Sequence, residues 1–202
     1  MLLVGLTGGL GAGKSTVARM LGNRGAVIID ADDLARRALE PGTRAYQQVC
    51  DLFGDQVVQP SGALDRTAIA ERVFGDESLR RALESITHPE VFRLLAEEVE
   101  TLRGTDSVIV FDAPLLIESG FHRAVDMIVV VTAPEAVQLE RVREARRMSE
   151  EDARARLRAQ ADPADREAVA HVVIENDGTL EDLERRVDEV WEDLHRRESE
   201  RP

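Results

Sequence analysis

Five short apolar runs punctuate a chain that is otherwise rich in charge: Leu2 to Leu6, Ala26 to Ile29, Val108 to Phe111, Met127 to Val131 and His171 to Ile174. Each reads as a buried strand, because it is brief, apolar and bounded by turn residues or carboxylates. Between them the apolar positions recur every three or four residues, the spacing of amphipathic helices. Val17, Ala18, Met20 and Leu21 follow the first run, with Gly25 as a stop. Leu180, Leu183, Val187, Val190, Trp191 and Leu194 form a closing helix, and a frayed polar tail is expected after His195. The second and third runs are separated by a long, mainly helical stretch with turns at Pro41-Gly42, Gly54, Pro60-Ser61-Gly62 and Gly75-Asp76. Within it, Leu79, Leu83 and Ile86 repeat on one helix. His88-Pro89 is expected to interrupt, and Val91, Leu94, Leu95, Val99 and Leu102 repeat on the next helix.

The first strand runs directly into Gly8 to Thr16, GGLGAGKST, and then into a helix. Gly8, Gly13, Lys14 and Ser15 stand at the G-x-x-x-x-G-K-S spacing of a phosphate-binding loop, in the strand-loop-helix context that this motif requires. Glycine lets the backbone wrap closely round a polyphosphate, and the helix adds its positive N-terminal end. Lys14 supplies a mobile ammonium for the β and γ phosphates, and the Ser15 hydroxyl is suited to Mg²⁺. Lys14 is the only lysine among 26 basic residues, the rest being arginine. A compact ammonium fits inside such a loop where a planar guanidinium would not.

Other candidates follow in chain order. The second strand ends in Asp30-Ala31-Asp32-Asp33, and carboxylates there lie on the ligand side of an open parallel sheet. If this strand neighbours the first, one of them faces the terminal phosphate; the alternative is that Asp30 or Asp32 caps a helix running through Leu34, Ala35 and Leu39. Arg66 is either a surface residue or a phosphate contact, and His88 either a turn residue or a ligand. Asp112 closes the third strand as the carboxylate of the second nucleotide-site motif does, where it holds Mg²⁺ through water. Thr132 and Pro134 start a helix from Glu135 to Arg147 that carries Arg141 and Arg146, and Ser149 with Asp152 opens a second helix. This arginine-rich hairpin reads either as a lid that neutralises charge on the transferring phosphoryl group or as an exposed, salt-bridged helix pair. Asn176-Asp177-Gly178 is a turn able to meet a base or ribose.

Length and charge narrow the setting. The chain has 202 residues, 43% of them hydrophobic and 32% charged, enough for one sizeable core. The single cysteine, Cys50, makes an internal disulfide impossible and gives no metal cluster. A net charge of −13 makes a poor general ligand for nucleic acid or anionic membrane. With no apolar run long enough to span a bilayer and no basic leader at its start, a cytoplasmic location is expected. The fold class is α/β: a P-loop NTPase-type parallel five-stranded sheet flanked by helices, with core segments 1–33, 104–134 and 168–202, an inserted helical substrate-binding region 34–103 and a helical lid 135–167.

The segments LTGGLGAGKSTVA, VIIDADDLAR, GALDRTAIAERVF, ITHPEV, DAPLLIESG, QLERVREARRMSEEDARARLRAQA and VVIENDG occur in one order along nearly the whole chain. In that combination the chain resembles the dephospho-coenzyme A kinase family, although Arg146 and Arg147 stand where the family often has an acidic residue or glycine. The resemblance implies ATP-dependent phosphorylation of the ribose 3′-hydroxyl of dephospho-coenzyme A, with ATP and Mg²⁺, in a monomer or weak homo-oligomer. It implies that Gly11, Ala12, Gly13, Lys14, Ser15, Thr16 and Asn176 bind the nucleotide, and that Ser15 and Asp112 serve the metal. Asp32 would accept the proton of the attacking hydroxyl, with Lys14, Arg141 and Arg146 stabilising transition-state charge. Thr7, Asp32, Arg66, His88, Asp112 and Leu115 are expected at the acceptor. The competing readings are another small-molecule kinase, acting on a nucleoside monophosphate or sugar acid, and a nucleotide-gated switch protein. The switch gains nothing from the sequence, which carries neither an N-K-x-D nor an S-G-G-Q motif.

Overall fold

The computed structural model describes residues 1–146, 151, 154, 155, 157, 160 and 162–201, with backbone only for 144–146. The expected helix start at Ser149 and Asp152 lies outside the described residues. The chain divides into two units, Met1–Asp30 with Leu102–Pro202, and Ala31–Thr101.

The first unit is built on a parallel five-stranded sheet. Its strands are β1 (Leu2–Gly8), β2 (Val27–Asp30), β3 (Val108–Asp112), β4 (Met127–Thr132) and β5 (Val172–Glu175). The order across the sheet is β2-β3-β1-β4-β5. β2 therefore does not neighbour β1: β3 stands between them, with Leu6 opposite Asp112 and Asp112 opposite Asp30. The carboxylate beside the loop-bearing strand is accordingly Asp112. β2 also stops at Asp30, where the helix α2 (Ala31–Ala38) begins, so no strand alternation carries Asp30 and Asp32 to a common side.

Every residue of β3 is buried, and β1 and β4 are buried along nearly their whole length, as parallel strands covered on both faces must be. Leu2, Val4, Leu6, Val108, Val110, Val129 and Val131 pack with α1 (Lys14–Asn23) and the last helix, α8 (Leu180–Ser199), in one core. Thr179 and Asp182 form a capping box at the start of α8. The frayed tail expected after His195 is instead helix to Ser199, with Glu198 buried. Arg201 anchors the end by donating to the Met1 carbonyl and to Asp126, both at 2.9 Å.

The second unit is helical: α2 (Ala31–Ala38), α3 (Arg44–Phe53), α4 (Arg66–Val73) and α5 (Glu77–Thr101). Its core gathers Val49, Phe53, Val57, Leu64 and Ile69, with Leu79, Leu83 and Ile86 of α5 against them. The expected interruption at His88-Pro89 does not occur, because α5 runs 25 residues with Pro89 inside it. A proline within a helix costs about 3 kcal/mol. Val91, Leu94 and Leu95 are buried beyond it, each contributing roughly 1.5–3 kcal/mol, and α5 packs along α2, α3 and α4. Packing on both sides of the proline outweighs the local cost.

Candidate active site

The glycine loop leaves β1 at Gly8 and enters α1 at Lys14. Ala12 N–H donates to the Gly9 carbonyl at 2.9 Å, and Gly13 caps α1 in the left-handed region, at φ 100°. A Cβ at Gly13 would also collide with Asn176 Nδ2, so glycine is required there by conformation and by space. A helix start without a side-chain cap leaves its first N–H groups for an anionic ligand.

Lys14 and Asp112 form an ion pair, with both side chains largely buried. Each charge is otherwise costly to bury, so the pair fixes the ammonium at the ends of β1 and β3. Ser15, next in the chain, is exposed. Thr7 is fully buried and donates through Oγ1 to the Pro114 carbonyl at 3.3 Å, which ties β1 to the segment after β3. Leu115 in that segment is 52% exposed.

On the other flank of the loop, the chain after β5 returns to it. Asn176, itself buried, donates through Nδ2 to the Ala12 carbonyl at 2.8 Å, and its N–H donates to the Thr132 carbonyl at 2.7 Å. Arg141, on α6 (Glu135–Arg146), donates to the Asn176 carbonyl at 3.2 Å and to Asn176 Oδ1 at 3.3 Å. Gly13, Thr16, Arg141, Asn176, Gly178 and Leu180 line a cavity of about 210 Å³ here. A planar guanidinium at its wall is suited to stacking on an aromatic ring. Arg146 ends α6, and its side chain lies outside what is described.

Three residues that sequence reasoning did not single out touch the loop near its start. Gln160 accepts from the Leu10 N–H through Oε1 at 2.9 Å. Gln138 donates to the Ala133 carbonyl at 2.9 Å, and a Cβ on Gly9 would stand 3.1 Å from its Nε2. Arg166, on α7 (Pro163–Ala168), is buried and its Nη1 would lie 3.4 Å from the same Cβ. Burial pushes its guanidinium below its ordinary value, against the opposing pull of Glu118, Asp162 and Glu167. The readable signal was the Asp162-Pro163 helix start, with the Asp162 side chain accepting from Ala164 N–H; nothing local pointed from there to Gly9.

Asp32, Arg66 and His88 belong to the Ala31–Thr101 unit. Asp32 lies in the exposed first turn of α2, where its charge suits the helix N-terminus. Arg66 opens α4 after its cap, Asp65, and is exposed. His88 is half-buried within α5. No cluster of three or more His, Cys, Asp or Glu suited to a metal occurs among the described residues. No helix among them is long and apolar enough to cross a membrane.

A model of the dephospho-CoA kinase family matches residues 2–182. A dephospho-CoA kinase of Thermobifida fusca is 47% identical over 197 residues, covering 98% of each chain. A crystal structure from Thermus thermophilus superposes with a TM-score of 0.83 at 39% identity, over 96% of this chain and 97% of that one. At the level of fold alone, a shikimate kinase of Acinetobacter baumannii, solved with shikimate, matches at a TM-score of 0.55 and 19% identity, over 98% of this chain and 94% of that one.

Proposed function

The chain belongs to the dephospho-CoA kinase family, and from that membership we propose that it transfers the γ-phosphate of ATP to the ribose 3′-hydroxyl of dephospho-coenzyme A, giving coenzyme A and ADP. The observation that carries this reading to the residues is the buried Lys14–Asp112 pair closing the glycine loop against β3. It holds an ammonium where the β and γ phosphates of a nucleotide lie in such loops.

The loop residues Gly11, Ala12, Gly13, Lys14, Ser15 and Thr16 form the phosphate cradle, binding through the Lys14 ammonium and through backbone N–H groups other than those of Ala12 and Thr16, which donate to Gly9 and Gly13. Arg141 and Asn176 form the wall of the adenine site, an assignment supported by the cavity that they line beside Gly13 and Thr16. Arg141 also helps to neutralise phosphoryl charge, with Arg146 as its partner in the lid 135–167. Asp32 orients the attacking 3′-hydroxyl and accepts its proton, while Ala31–Thr101 serves as the acceptor region with Arg66 and His88. Leu115 completes the acceptor side, and Thr7, buried away from any ligand, serves only by holding the segment of Leu115 through the Pro114 carbonyl.

The donor set fits Mg²⁺: an exposed hydroxyl at Ser15 and a carboxylate at Asp112, with the remaining positions left to phosphate oxygens and water, as this ion prefers. Ser15 and Asp112 would hold it, and it would screen charge between the β and γ phosphates. The protein acts in the cytoplasm.

A panel of acceptors tests the reading. Dephospho-coenzyme A should be phosphorylated, whereas shikimate, nucleoside monophosphates and a 3′-deoxy analogue should not. Equal turnover of a nucleoside monophosphate would replace the assignment by its nearest rival.

A further inference from the structure

Arg166 is the one buried arginine of the described residues, at 5% exposure, and neither it nor any other residue of its helix is given a role of its own in the proposed function. A buried guanidinium normally has its donors taken up by carboxylates or carbonyls, because an unmet buried donor costs about 1–3 kcal/mol and a charged one more. Arg166 Nη1 is fully buried and has no hydrogen-bond partner among the described residues. The negative charges of Glu118, Asp162 and Glu167 only partly offset the burial. The same nitrogen comes within 3.4 Å of where a Cβ on Gly9 would stand, so it is directed at the second residue of the phosphate loop. It shares that approach with Gln138, and it lines a cavity of about 620 Å³ with Gln138, Arg154 and Gln160. The Gln160 carboxamide already covers one loop N–H, that of Leu10, from this side.

We propose that Arg166 is a phosphate-binding residue that takes the terminal phosphate of the bound nucleoside triphosphate at the Gly9 end of the loop. The inference rests on the reading of the loop as a triphosphate site. A cation kept buried and incompletely paired is a cost to folding, and such costs persist where a ligand completes the set. An anionic phosphate oxygen is the partner that a guanidinium fits best, through charge-assisted hydrogen bonds. Lys14 already serves the loop from the start of α1, paired with Asp112 of β3, and Arg141 is turned to Asn176, so Arg166 supplies a cation at a part of the loop that neither occupies.

The test compares binding of a non-hydrolysable ATP analogue (AMPPNP) and of ADP, both with Mg²⁺, to wild type, Arg166→Gln and Arg166→Lys by calorimetry. Melting of each ligand-free protein is followed in parallel. Arg166→Gln should bind AMPPNP at least about tenfold more weakly, keep ADP affinity within about twofold, and lose about 10²-fold or more in kcat. Arg166→Lys should recover part of the AMPPNP preference. The ligand-free melting temperature of Arg166→Gln should be unchanged or higher. Equal losses for AMPPNP and ADP, unchanged affinity for both, or a variant that fails to fold would each overturn the proposal, the last because it would show the guanidinium to be structural. If the wild type itself binds neither nucleotide, the reading of the loop falls instead.

Discussion

Asn176 offers the sharpest single-residue test of how the loop is held. Its Nδ2 donates to the carbonyl of Ala12, a residue with no exposure, at 2.8 Å, and its oxygens accept from Arg141 at 3.2 and 3.3 Å. In Asn176→Ala the Ala12 carbonyl loses this donor without gaining water, which costs about 1–3 kcal/mol. Of the two Arg141 bonds only the one to Oδ1, at 3.3 Å, goes with the side chain; it is at the long end for N–H···O, so its loss should add no more than about 1 kcal/mol. At roughly 2–4 °C per kcal/mol for a protein of this size, the melting temperature should fall by several degrees. Asn176→Asp separates the contributions. It keeps an acceptor for Arg141 but loses the donor to Ala12, and it sets an anion beside the phosphate site. It should therefore melt no higher than Asn176→Ala and bind AMPPNP more weakly. Thermal unfolding and calorimetry of the two variants and of Arg141→Ala are the assays. Melting within 1 °C of wild type, with unchanged AMPPNP affinity, would refute the argument that Asn176 braces the loop.

Asp32→Asn should lower kcat by about 10²–10⁴-fold, the usual contribution of a positioned proton acceptor, while AMPPNP affinity stays within about twofold. Near-normal turnover would remove Asp32 from that role. Pro89→Ala restores an N–H inside α5 and should stabilise the protein by about 1–2 kcal/mol in urea unfolding; a loss of stability would mean that Pro89 fixes something other than the helix. The Asp126 carboxyl is held below its ordinary range: burial would raise it, but hydrogen bonds from Arg201 and the Leu3 N–H outweigh that. Its contribution is present above the unfolded value of about 3.9 and is lost as pH falls through the folded value. Asp126→Asn should then cost about 0.5–1 kcal/mol at pH 7 and nothing near pH 2, and a cost that is the same at both would show that charge is not involved.

Much of the sheet is legible in the sequence because parallel strands buried on both faces leave continuous apolar runs such as Val108–Phe111 and Met127–Val131. The glycine loop is legible because its chemistry is local. Strand order is not, since which strand lies beside β1 is decided by pairing across a hundred residues: Leu6 finds Asp112, and Asp30 reaches only Asp112. Pro89 misleads for the same reason, as the helix is held by residues packed on either side of it. At the site, Lys14, Asp112, Arg141 and Asn176 are each recognisable by type and position. The bonds that organise them, such as Asn176 to the Ala12 carbonyl and Gln160 to the Leu10 N–H, join residues 164 and 150 positions apart and leave no mark in any short stretch.

The central claim is that this chain phosphorylates the 3′-hydroxyl of dephospho-coenzyme A. ADP release by the purified protein, with ATP and Mg²⁺ and with or without dephospho-coenzyme A, tests it most directly when the product is identified alongside. The account predicts slow release alone, strong stimulation by the acceptor, and one coenzyme A formed per ADP. ADP release that the acceptor leaves unchanged, with no coenzyme A formed, would contradict it.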